Sequence, residues 1–196
     1  ESRGYRVAIL PRPDHRSAED FRRFGRPRLG FLINSGVVDS MVNNYSVFKH
    51  RRKKDEYAPG GQAGGRPDRA LIVYCNRARE AYKGVPVVIG GIEASLRRLG
   101  HYDYWSGKVR RSVLLDSKAD LLIYGMGERA VVEIAEALDA GIDIKDIHWI
   151  KGTCYRSSLP PEDEETILLP DYDEIIRSKR RYAESFAVQF KNNDHI

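Results

Sequence analysis

The 196-residue chain has only two cysteines, Cys75 and Cys154, far apart and outside any CxxC spacing. Such sparse use argues against a disulfide framework or a thiolate metal site, and points to reduced, buried thiols in a cytosolic protein. Long apolar runs are also lacking. None approaches the ~20 residues that span a bilayer, and no signal-peptide pattern opens the chain. His15, His50 and His148 show neither HxxxH nor HExxH spacing, which leaves no histidine metal site, and no Ser–His or Cys–His pairing can be assigned. The glycine loop Gly60–Gly65, GGQAGG, is neither GxGxxG nor GxxxxGK[ST] and has no strand immediately before it. It therefore reads as a flexible surface loop in preference to a phosphate cradle.

What remains is periodicity, and it is ample. Tyr5–Leu10 reads as a strand stopped by Pro11 and Pro13, and Ser17-Ala18-Glu19-Asp20 as a capping box opening a short helix to Gly25. Arg28–Asn34 is a second strand. Residues 37–67 are irregular, with the basic run Arg51-Arg52-Lys53-Lys54 and the glycine loop inside them, and a connection this long reads as a lid or binding loop. Asp68 is placed to cap a helix with Leu71, Tyr74, Cys75, Ala78 and Tyr82 on one face. Val85–Ile89 is a continuous apolar strand, and Ala119–Tyr124 another. A helix is expected around Val109–Leu115, and a well-patterned one over Glu128–Ala140, with Ala130, Val131, Ile134, Ala137 and Leu138 inward and Gly141 as its stop. His148–Ile150 leads to a last strand through Cys154. After Pro160-Pro161 and the acidic run Glu162–Glu165, Asp171 and Glu174 resemble a capping box. They open one charged helix through Ile175, Tyr182, Phe186 and Phe190, whose apolar positions lack a partner in the sheet.

Alternating strands and helices of these lengths argue for a doubly wound, mostly parallel sheet in three α/β/α layers. The expected division is an α/β domain over 1–160 and a linker with a helix over 161–196. Because the chain begins at Glu1 and almost at once enters a strand, it reads as a piece of something longer.

The chain is organised around Gly84–Ser106, GVPVVIGGIEASLRRLGHYDYWS. A buried-type strand ends in Gly90-Gly91, which turns the backbone into a short helix at the carboxyl rim of the sheet, where α/β folds usually bind ligands. Glu93, and Glu128 after Gly125 and Gly127, each fall in the first turn of a helix. Two readings stand level: they complement the helix dipole, or they face a ligand or partner across the rim. His101-Tyr102-Asp103-Tyr104-Trp105 lies among Arg97, Arg98, Lys108, Arg110 and Arg111. Aromatics between cations can stack bases, yet edge packing with carboxylate-paired arginines is the favoured reading. The net charge of +5 likewise permits a nucleic-acid or phosphorylated partner but is ordinary for solvated surface charge.

Three segments carry a resemblance: YRVAILPRPDHRSAEDFRRFGRPRLGF, APGGQAGGRPDRA and VVIGGIEASLRRLGHYDYWSGKVRRSVLLDSKADLLIYGMGERAVVEIA. Over nearly the whole chain they resemble the YgiQ-type radical S-adenosylmethionine proteins. GGIEAS and YGMGE resemble the GG and GEGE signatures of cobalamin-binding-type domains that precede radical enzymes, though Met126 makes the second match partial. The resemblance implies a Rossmann-like or flavodoxin-like, cobalamin-binding-like fold, with one more strand before Glu1. It also implies a following radical domain of the same protein, in which a CxxxCxxC loop holds a [4Fe–4S] cluster that binds S-adenosylmethionine. Neither Cys75 nor Cys154 matches such a loop. The corrin lower-ligand pattern DxHxxG is not met by Asp14-His15-Arg16-Ser17, so histidine-on cobalamin is not supported, and a corrin held without it is the less favoured option.

The expected function is thus the non-catalytic N-terminal domain of a radical enzyme. Its candidate ligand or domain contacts are Gly90, Gly91, Glu93, Ser95, His101, Tyr104, Trp105, Gly125 and Glu128, and its expected partners are its own C-terminal domain and a substrate. The alternative is an RNA-binding module using Arg97, Arg98, Tyr104, Trp105, Arg110 and Arg111.

Overall fold

The computed structural model describes residues 1–160 and 165–192. Pro161 and the acidic run up to Glu164 lie outside the described residues. The chain divides into two compact units, residues 1–98 with 113–156, and residues 99–112 with 157–196.

The first unit is built on a four-stranded sheet in the order β1-β2-β5-β6, of Phe31–Ile33, Val87–Ile89, Leu121–Ile123 and Thr153–Cys154. β1, β2 and β5 are parallel, with Phe31 opposite Val87 and Val88 opposite Leu121. All three residues of β2 and of β5 are buried, as expected of strands covered on both faces. Ile33, Val87, Ile89 and Leu122 point into one core, with Phe21 of helix α1 (Glu19–Arg22), Leu71, Tyr74, Cys75 and Ala78 of α3 (Ala70–Ala81), and Val113 and Leu114 of α5 (Val113–Ser117). Val88, Leu121 and Ile123 point the other way, against Ala130, Ile134 and Ala137 of α6 (Glu128–Asp139) and against Ile144, Ile147 and Ile150. The period-2 alternation of the strands thus feeds two cores, and the α/β/α layering follows. β6 is antiparallel, with Cys154 opposite Leu122. Tyr124 N donates to Gly152 O at 2.9 Å, so β6 starts at the rim where β5 ends and runs back.

Several local expectations are corrected. Residues 5–10 form no strand, and Val7 and Ile9 stay exposed while Leu10 packs on the first core. The alternation is present, but no neighbouring strand pairs with it among the described residues. The Ser17–Asp20 capping box does not form: the N-cap of α1 is Ala18, Ser17 Oγ accepts only from Glu19 N at 3.4 Å, and Asp20 accepts from Asp14 N at 2.7 Å. Asp68 does not cap α3 either. The N-cap is Arg69 at φ 51, and Asp68 accepts from Asn44 Nδ2 and the Tyr45 hydroxyl at 2.8 and 2.6 Å. Residues 40–44 add a short helix, α2 (Ser40–Asn44), to the stretch read as irregular.

The second unit holds a hairpin that takes the first residues of the helix expected around Val109–Leu115. β3 (His101–Asp103) pairs with β4 (Lys108–Arg110), Tyr102 opposite Val109. Gly107 at φ 66 closes the turn, and Asp103 Oδ2 accepts from the Ser106 backbone at 3.3 Å and its hydroxyl at 2.5 Å. The expected helix is present but starts later, as α5 at Val113, because Val109 pairs across the hairpin with Tyr102. The C-terminal helix is two: α7 (Tyr172–Arg177), opened by a complete Asp171–Glu174 capping box, and α8 (Lys179–Lys191), opened by Ser178. Ile175 is buried, and Tyr182 binds the backbone of Tyr102 through its hydroxyl at 3.0 Å.

Candidate functional site

The carboxyl ends of β1, β2 and β5 deliver three consecutive loops to one rim: Asn34–Gly36, Gly90–Gly91 and Tyr124–Gly127. Gly90 N donates to Ile33 O at 2.9 Å, tying the second loop to the first. Gly91 has φ +79, and a Cβ there would lie 3.2 Å from Asn34 Cβ. Gly90 is extended and would meet nothing nearer than 3.6 Å, so of the pair only Gly91 is demanded by the backbone. Helix α4 (Gly91–Leu96) follows.

Ser95 joins the second loop to the third. Its hydroxyl donates to Gly91 O at 3.0 Å and accepts from Gly125 N at 3.1 Å. Gly125 stands at φ +67. Arg98 donates to Ser95 O at 2.8 Å and lays its guanidinium 5.1 Å from the centre of the Tyr124 ring. Met126 is 85% exposed at the tip of the third loop, and Ile92 and Leu96 are exposed on α4. Glu128, in the first turn of α6, is exposed.

Glu93 behaves otherwise. It is fully buried. One carboxylate oxygen accepts from Ser40 N at 2.8 Å and the other from Leu71 N at 3.3 Å, so a single side chain receives the first turns of both α2 and α3. Ser40 adds its hydroxyl to Ala70 N at 3.0 Å. Asp39 caps α2 through Met41 N and Val42 N, and Arg97 lies 2.7 Å from its other oxygen and 3.6 Å from Glu93. Both carboxylates in this knot are compensated, although Asp39 Oδ2 accepts no hydrogen bond and relies on its ion pair with Arg97 alone, and such pairing is the condition under which buried charge is tolerable. It anchors the 37–67 connection to the Gly90-Gly91 unit, and Glu93 does not face the open rim. The Glu93–Arg97 spacing of four was legible in the sequence. The recruitment of Asp39 and Ser40 was not, because it crosses more than fifty residues.

His101, Tyr104 and Trp105 belong to the second unit. His101 Nδ1 lies 3.1 Å from Leu99 O, and the Tyr104 and Trp105 rings meet edge to face at 5.3 Å. Of the six residues in the RNA-binding alternative, Arg97 is committed to the buried knot.

The residues present do not fit the cofactors of a radical enzyme. Cys75 is buried, and burial pushes its thiol up to about 12 against the opposing pull of a Ser117 hydrogen bond. Burial likewise raises Cys154 to about 11, with Arg98 opposing. Cluster ligands are thiolates, and these thiols are held neutral. No group of three His, Cys, Asp or Glu suited to a metal occurs among the described residues. The His15 backbone lies beside the middle of α3, its carbonyl accepting from Arg77 at 2.9 Å, about two turns from the end that Glu93 holds. No described helix is long and apolar enough to cross a membrane.

The mostly parallel sheet, the helices on its two faces and the glycine turns at its carboxyl rim define a Rossmann-like α/β domain. The chain belongs to the radical SAM N-terminal family, which it matches over residues 1–196. It is 56% identical over 197 residues to a UPF0313 protein of Clostridium perfringens (strain ATCC 13124), covering all of this chain and 30% of that protein. It is 48% identical over 196 residues to a UPF0313 protein of Clostridium botulinum (strain ATCC 19397), again over all of this chain and 30% of the relative. The chain therefore spans less than a third of the length of the curated relatives it matches. No solved structure matches it.

Proposed function

We propose that this chain is the N-terminal module of a longer cytoplasmic radical S-adenosylmethionine enzyme and is not catalytic by itself. The match of all 196 residues to the radical SAM N-terminal family carries this reading. The [4Fe–4S] cluster and S-adenosylmethionine would be held by the remainder of the protein, whose cysteine thiolates would ligate the cluster and leave one iron for S-adenosylmethionine. The separate, unbridged cysteines support the reducing compartment. In this reading the α/β domain ends near residue 160, and 161–196 lead to the catalytic part. The outer edge of β1, with Leu32 57% exposed, receives one further strand from the longer protein.

The module's work is docking. Gly90, Gly91, Ser95, Gly125 and Glu128 shape a rim on which Ile92, Leu96 and Met126 expose apolar surface, the mark of a surface awaiting a partner. His101, Tyr104 and Trp105 offer aromatic contact from the second unit. The partner is the catalytic domain of the same protein or its substrate.

Anaerobic reconstitution of the full-length protein with iron and sulfide tests the enzyme assignment. A [4Fe–4S] spectrum, with 5′-deoxyadenosine formed on reduction in the presence of S-adenosylmethionine, is expected, and a protein that takes up no cluster overturns it.

A further inference from the structure

Independently of that rim, the first unit presents a second surface. Arg52 N donates to Asn44 O at 2.8 Å, Ser46 N to His50 O at 2.9 Å and Lys49 N to Ser46 O at 2.9 Å, while Tyr45 bridges Arg51 in antiparallel register. These bonds close a tight hairpin. Lys49 stands at φ 62, the left-handed position that completes a three-residue hairpin loop, here occupied without glycine. The turn pushes Val47 and Phe48 outward, 70% and 79% exposed. Immediately behind the tip come Lys49, Arg51, Arg52, Lys53 and Lys54, all exposed.

Two facts separate this segment from ordinary surface charge. The chain carries 33 basic and 28 acidic side chains, so these five cations equal its whole positive surplus. Beside the four consecutive cations of 51–54 stands one exposed carboxylate, Glu56. Asp55 is only 2% exposed and turned to Tyr57 N, and Asp68 reaches Arg51 at 3.6 Å. Lys53 and Lys54 make no ion pair among the described residues.

We propose that the Tyr45–Lys54 hairpin is a binding site for single-stranded nucleic acid, its cations meeting phosphates and Phe48 stacking on a base. An exposed aromatic set among backbone-spaced cations is the arrangement that binds single strands without sequence preference. An anionic membrane would use the cations too. However, the two apolar side chains at the tip fall well short of the apolar face with which interfacial segments anchor. An acidic protein would leave Phe48 without a role.

The test is anisotropy of a labelled oligouridine with the full-length protein across a salt series from about 50 to about 200 mM. Five phosphate contacts to a single strand predict a slope of log affinity on log salt near −3.5, at about 0.7 per contact. The Lys53→Glu/Lys54→Glu double variant, altering exposed side chains only, is expected to flatten the slope by about 1.4 and to weaken binding by about tenfold or more. Phe48→Ala is expected to leave the slope and lose roughly tenfold, as one base stack does. No binding at the lowest salt overturns the proposal. So does a double variant that binds like the parent, an unaffected Phe48→Ala, or tighter binding to phosphatidylserine vesicles or polyglutamate than to the oligonucleotide.

Discussion

Two turns on the rim share a local design and differ in everything around them. At Gly90-Gly91 and at Gly125-Met126-Gly127 a buried strand ends, a glycine takes a positive φ, and a helix begins with a glutamate in its first turn. Yet Glu93 is fully buried and holds the first turns of two other helices, while Glu128 is exposed beside Met126. The difference lies in what arrives from elsewhere. The connection between β1 and β2 folds back over α4 and brings Ser40 and Leu71 within hydrogen-bond distance of Glu93. Among the described residues nothing comparable covers the start of α6, where Glu128 is exposed. A glycine-helix turn therefore creates a place, and the neighbouring chain decides whether its carboxylate becomes a structural anchor or a surface group.

The sharpest way to break this contrast is to remove the charge at each glutamate. Glu93→Gln takes the carboxylate from two helix starts and leaves Arg97 paired with Asp39 alone, and a loss of about 3 kcal/mol in urea unfolding is expected, the low end for a broken buried pair. Glu128→Gln should leave the urea midpoint unchanged. If the two variants unfold alike, the knot is not an anchor. Next in size is the backbone. Gly91→Val forces a branched side chain to φ +79 and towards Asn34, for about 2–3 kcal/mol, whereas Gly90→Ala should be nearly silent. Equal effects at both glycines would refute the assignment of the turn to Gly91.

A pH series extends the comparison to the cores on either side. Cys75 stands at about 12 folded against 9.0 for a free thiol, so it stays protonated in the fold while an unfolded chain ionises. Its contribution is intact below pH 9.0 and fades as pH rises towards about 12, by about 1.4 kcal/mol per unit. Cys75→Ala should flatten the alkaline loss of stability, and an unchanged slope would assign that loss to other groups. Smallest of all, Met126→Ser or Leu96→Ser should leave the stability of the domain intact while weakening its attachment to the rest of the protein. Limited proteolysis near residue 160 reads this, with faster release expected and identical cleavage counting against the docking surface.

Much of the layering was legible. The all-apolar runs of β2 and β5, the α6 stripe and the Asp171–Glu174 capping box each depend on neighbours within a few residues, and each appears as the spacing requires. The errors came where a residue chose a distant partner. Asp68 left the helix start it precedes for Asn44 and Tyr45, and Asp20 turned from Ser17 to the backbone of Asp14. Tyr5–Leu10 had the pattern of a strand but not the second strand that a ladder needs. The helix expected around Val109–Leu115 is there but starts at Val113, because Val109 pairs across the hairpin with Tyr102.

Short-range periodicity and motifs contiguous in the chain are enough to specify a mostly parallel α/β architecture, the glycine turns at the rim and the family. What the glutamates do, the grouping of the Tyr104–Trp105 pair with the C-terminal helices, and the ordered hairpin that carries the basic run near residue 50 all come from long-range contacts. Those outcomes depend on which backbone donors reach a side chain across tens of residues, and no local spacing encodes that.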